Sequence, residues 1–183
     1  MHPHSRALNV ATIAAVFACI ATSHPATTAA QTAAAKLDDP TIVAIFHAAN
    51  TYDIETGSLG AARAHSKVVR DFAAMLVRDH RNVRAQGRAL ATSLKVRPTP
   101  PRNFALANAH AAAMKSLRSL HGKAFDRAFL QHEVDFHNAV IDAVTTTLLP
   151  ATQNAQLKDL ETKVAPAFVA HRDRAQALLN ESK

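Results

Sequence analysis

Three histidines stand where aliphatic residues would be expected. His80 lies in FAAMLVRDHRNV (residues 72–83), His137 in FLQHEVDFHNAV (129–140) and His171 in VAPAFVAH (164–171). Each falls on the apolar stripe of its own helical segment. In the first two stretches a Phe is followed by a Val five residues on and a His eight residues on: Phe72, Val77, His80 and Phe129, Val134, His137. Neutral imidazole is the commonest protein metal ligand, and carboxylate is the oxygen partner that suits harder ions. Asp53 and Glu55 lie beside the inner stripe of a further segment, and Glu133 sits one turn before His137. One ligand from each of four helices at mid-height is how metal sites are built inside bundles. The candidate set is therefore Glu55, His80, His137 and His171, with Asp53 and Glu133 as further ligands or supporting acceptors. The ion would be a single Fe²⁺, Zn²⁺, Cu²⁺ or Mn²⁺. The same groups could instead form a buried hydrogen-bond network without metal, provided every member finds a partner.

A di-iron centre is not expected. Such bundles use Glu-x-x-His on two helices and a Glu from each of the other two. The positions three before His80 and His137 are Val77 and Val134, which cannot bind iron. His47, His65, His110, His121 and His132 fall on outer faces or near helix ends and are expected at the surface.

Four long helices must position these groups, so the expected fold is an all-α antiparallel four-helix bundle. The first begins at DDPTIVAIF, with Asp39 as N-cap and Pro40 in the first turn. Its stripe is Ile42, Ile45, Phe46, Ala49, Tyr52, Thr56 and Leu59, and Gly57 and Gly60 allow a neighbour close approach. Ser66 would cap the second, whose stripe runs Val69, Phe72, Leu76, His80, Val83, Gly87, Leu90 and Leu94. VRPTPPR (96–102) ends it, because the prolines lack amide donors. A shorter helix follows from Asn103 to about Leu120. The third long helix starts after Gly122 and reaches about Leu149, burying Phe125, Phe129, Glu133, His137, Val140, Ile141, Val144 and Leu148. The fourth runs from about Thr152 to Leu179 over Leu157, Leu160, Val164, Phe168, His171, Ala175 and Leu178. Pro166 should kink it, leaving the Thr162 carbonyl unpaired. The repeated Phe-Val-His ladder suggests two copies of a helical hairpin, with His80 and His137 in equivalent positions.

The chain has 183 residues, enough for one domain, residues 39–181, with a real core. Its net charge is +7, but the basic residues are spread over helix faces without a dense run or interleaved aromatics, so nucleic acid is not an expected partner. MHPHSR, the apolar stretch 7–21 and the small residues of TSHPATTAAQ fit a secretory signal peptide, residues 1–30, cleaved after Ala30. Residues 31–38 would be a disordered lead-in. The protein is thus expected to be exported to the periplasm. An uncleaved segment would anchor it to the inner membrane, its only membrane contact, and an acylated Cys19 in VFAC is a weaker alternative. With a single cysteine, no intrachain disulfide can form.

YDIETGSLG, VVRDFAAMLVRDH, LHGKAFDRAFLQHEVDFH and VAPAFVAH, in that order, resemble a bacterial domain-of-unknown-function family of exported helical proteins, many carrying a membrane-protein label. The resemblance covers roughly Pro40 to Leu179 and implies a ferritin-like bundle. It maps the family's motif positions onto Asp53, Glu55, Asp79, His80, Asp126, His137, Pro166 and His171. Phe136 stands where the family usually has an acid, Phe129 where it usually has Tyr, and Glu133 is outside its pattern. The family implies no defined activity. Two functions follow: an exported bundle that binds a transition metal or acts in envelope stress, and a metal-free periplasmic module that binds an envelope protein partner. No nucleophile–base pair, phosphate loop or Cys motif supports an enzyme; the metal site is the one foothold for redox or hydrolytic chemistry.

Overall fold

The computed structural model describes residues 37–102 and 104–182, so the N-terminal segment, Cys19 and most of the lead-in lie outside the described residues. Helices α1 (Asp39–Arg63), α2 (Lys67–Ser93), α4 (Gly122–Ala143) and α6 (Ala155–Glu181) form a four-helix bundle. A shorter α3 (Ala105–Arg118) lies against α1 and α4. A π-helical turn, Val144–Leu148, and a three-residue α5, Leu149–Ala151, close the stretch before α6. No strand occurs among the described residues, and none of their helices is long and apolar enough to cross a membrane.

Hydrogen bonds between the helix ends define the topology. At the end where α1 meets α2, the Asp126 carboxylate of α4 accepts from the backbone N–H groups of His65 and Ser66 at 2.7 and 2.8 Å. Arg63 there donates to the carbonyls of Arg118 and Leu120. At the opposite end, Asp39 accepts from the amides of Gln153 and Asn154 at 2.9 and 3.0 Å. Thus α4 starts where α1 ends, and α6 starts where α1 begins. Around the bundle the order is α1, α2, α6, α4, each antiparallel to its neighbours. The diagonal partners α2 and α4 run in the same direction. This explains the repeated ladder: parallel diagonal helices bring Phe72 to Phe129 (ring centroids 6.4 Å) and His80 to His137 (5.6 Å). It is not a duplicated hairpin, since His80 is on the second helix of its hairpin and His137 on the first.

The helix ends correct the capping expectations. Asp38 is the N-cap of α1, its side chain accepting from Thr41, which frees Asp39 for the far turn. Ser66 makes no side-chain cap bond; Asp126 takes its amide instead. α6 remains helical through Pro166, which faces solvent, and it begins three residues later than expected because Asn154 caps it.

Apolar layers fill both ends. Phe72, Leu76, Phe125, Phe129 and Leu130 occupy one; Phe46, Val83, Leu160, Val164 and Phe168 lie toward the other. The helices approach closely where glycine allows it. A methyl on Gly60 would sit 2.7 Å from the Phe129 ring and 2.9 Å from Ala73 Cβ, so alanine there would force α1 outward. Between the apolar layers lies a polar one.

Candidate metal centre

Every helix of the bundle contributes to this layer: Asp53 from α1, His80 from α2, His137 from α4 and His171 from α6 form its centre. All four are at most 5% exposed. They stand at helical spacing from the apolar residues above and below, so burying the stripe buries them too.

The outer partners fix the tautomers. Asn50 Nδ2 donates to the Phe46 carbonyl at 2.8 Å, so Asn50 Oδ1 is the atom facing His80 Nδ1 at 3.0 Å. An amide oxygen only accepts, so His80 carries its proton on Nδ1. His137 Nδ1 lies 2.9 Å from the Glu133 carbonyl oxygen and must likewise be the donor. His171 Nε2 donates to Asp79 Oδ2 at 3.3 Å. With the outward nitrogens protonated, the inward nitrogens of the three neutral rings, His80 Nε2, His137 Nε2 and His171 Nδ1, carry bare lone pairs.

Those lone pairs converge. One ligand atom from each of the three imidazoles lies within 4.8 Å of the other two, and His80 Nε2 is 3.2 Å from His171 Nδ1. Asp53 Oδ2 lies 3.2 Å from His80 Nε2 and 3.4 Å from His137 Nε2. Neither Asp53 oxygen has a hydrogen-bond partner, nor has His137 Nε2. Glu133, fully buried, has two unpartnered oxygens and groups with Asp53 and His137. Acceptors facing acceptors repel, and an unsatisfied buried polar group costs about 1–3 kcal/mol. One proton on Asp53 could serve His80 or His137 but not both, and His171 would remain unserved. A cation at the centre satisfies all four groups together.

Burial resists the alternative of charging the rings. It pushes the His80 imidazole down to about 2, with His137 and His171 adding repulsion, and the His137 imidazole down to about 3. His171 is also lowered by burial, against the opposing pull of Asp79. Burial pushes the carboxyls of Asp53 and Glu133 well up, Glu133 further through its proximity to Asp53. A divalent ion would reverse that cost: its two charges match two ionised buried carboxylates.

The expected set is corrected in one member. Glu55 is outside the cage. Its side chain is 51% exposed and bound to His110 Nε2 at 2.7 Å. Two residues along a helix turn the side chain through about 200°, so Asp53 and Glu55 cannot face the same interior. Asp53 takes the place assigned to Glu55. The inner stripe of α1 is rotated accordingly, with Asn50, Asp53 and Gly57 buried and Ala49 and Tyr52 turned toward α3. Two histidines expected at the surface are not free there. The His110 side chain is 9% exposed and stacks on Tyr52, with ring centroids 4.3 Å apart. His132 is half-buried, its imidazole pushed down to about 4 by burial and then by His110. Asn50 was not anticipated, although its position three residues before Asp53 places it on the same face.

A family model described as "Domain of unknown function (DUF4142)" matches residues 24–178, and the chain belongs to this family. Comparison with curated proteins and with solved structures finds no match.

Proposed function

We propose that this member of the family binds one transition-metal ion through His80, His137, His171 and Asp53, in the periplasm to which its N-terminal segment directs it. The observation that carries this reading is the set of three inward lone pairs around an unpartnered carboxylate, each ring locked by an outward hydrogen bond. Support of this kind from surrounding acceptors orients metal-binding histidines and raises their basicity. Three imidazoles and one carboxylate suit Zn²⁺, Fe²⁺, Cu²⁺ or Mn²⁺, and Glu133 supplies a fifth oxygen or the balancing charge. Ligands projecting inward from all four helices are also the construction of ferritin-like metal bundles. The proposed site holds a single ion: Val77 and Val134 stand where the Glu-x-x-His pattern of di-iron bundles places carboxylates.

The test is metal content by mass spectrometry on protein purified without a histidine tag, after each of the four ions has been offered. About one ion per chain is expected, absent from His80→Ala and Asp53→Asn and retained in Glu55→Gln. No bound metal in any loaded sample would sink the reading. The polar layer would then be a structural network, and the protein a module for an envelope partner.

A further inference from the structure

Beside the polar layer, α1, α3 and α4 do not close on one another. A cavity of about 60 Å³ remains under α3, walled almost entirely by apolar atoms. Its origin is in the sequence: Ala49 of α1, Ala109 and Ala113 of α3, and Ala139 and Ala143 of α4 meet there, and none fills the space between the helices. The N-terminal half of α3 therefore rests on a void, and its fully buried residues, Met114 and Leu117, are confined to its other end.

The cavity shares two walls with the cage. Asn50 lines it and holds His80 through Nδ1; Phe168 lines it and lies parallel to the His80 ring at 5.6 Å. We propose that this cavity binds a small nonpolar molecule of diatomic-gas size, one side chain away from the imidazole cage. Its size and lining select that class. Engineered apolar cavities of about 150 Å³ stay dry and take benzene or xenon; this smaller one excludes a ring. Of the polar side chains at its edge, Asn50 is committed to His80 and Phe46, and His110 to Glu55; His132 borders it as well, but polar atoms make up almost none of the wall, so a polar headgroup would find little to bind. The significance of the occupant for the site rests on the metal reading, but its binding needs no ion.

Xenon is the probe, measured by xenon NMR and in xenon-pressurised crystals of the purified protein without added metal. One saturable site against Phe136 and Phe168 is expected. Ala139→Leu should abolish it by filling the space from α4. Ala109→Leu should do the same from α3, which keeps the test decisive if one variant does not fold. Asp53→Asn should bind xenon as the wild type does. The proposal falls if the wild type shows no saturable xenon, if ordered water fills the cavity, or if xenon persists in the folded leucine variants. It also falls if Asp53→Asn loses xenon, which would put the gas in the cage. Absence of metal with xenon still bound would overturn the metal reading alone.

Discussion

Two aspartates are buried in this protein and their surroundings are opposite. Asp126, at the end where α1 meets α2, accepts two short hydrogen bonds from the amides of His65 and Ser66. Asp53, at mid-height, is 0% exposed and accepts none, with two imidazole nitrogens at 3.2 and 3.4 Å. A buried carboxylate is tolerated when it is hydrogen-bonded, and Asp126 meets that condition within the fold. Asp53 does not; it faces two imidazole nitrogens instead. The first acid holds a turn, and the second is the carboxylate of the proposed metal site.

The sharpest way to break this contrast is to remove each acid. Asp53→Asn should lower metal affinity by more than the roughly 10–100-fold typical for loss of a supporting partner, as measured by competition with a chelator. Asp126→Ala should leave metal content unchanged and cost about 3 kcal/mol in urea unfolding, since two charge-assisted bonds to backbone are lost. Equal effects of the two substitutions on metal would end the comparison.

Smaller effects sharpen it. Asn50→Ala frees the His80 ring to turn, and metal affinity should fall about 10–100-fold with the ligand set intact. In metal-free protein, Asp53→Asn should be more stable than wild type by about 1 kcal/mol, because an amide donates to a bare imidazole nitrogen without first taking up a proton, as the buried carboxyl must. Thermal unfolding in the presence of a chelator measures this, and a destabilised variant would show that Asp53 is already satisfied. Least affected should be Glu55→Gln. Its half-exposed pair with His110 contributes about 0–1 kcal/mol, and neither metal content nor affinity should change.

Much of this was legible from residue spacing. The interior positions of His80, His137 and His171 follow from helical periodicity alone, because each lies on a stripe of aliphatic and aromatic residues. Glu133 was legible for the same reason, one turn from His137. The ladder shared by α2 and α4 signalled that two imidazoles lie at one height. It did not give the direction of the helices, which made duplicated hairpins look equally sound. α1 was harder. It is covered on one side by the bundle and on another by α3, so apolar residues are spread over two faces and no single stripe says which acid points inward. That is why Glu55 stood in for Asp53, and why Asn50 went unnoticed. His110 and His132 were assigned to the surface because the sequence gives no sign that α3 folds back over α1 and α4.

The amino-acid sequence by itself determined that this chain is an all-α bundle of four long helices, with histidines in the interior of three of them. Local rules suffice for that: helix propensity, proline and glycine stops, and periodic burial of apolar side chains. The tertiary structure decided which acid joins the histidines, which nitrogen of each ring is bare, and which buried aspartate is already satisfied. Apart from the His137 ring, held by the Glu133 carbonyl four residues back, those depend on partners 30 to 92 residues away in the chain, brought within about 3 Å by packing, and hydrogen bonding has little reach beyond that distance.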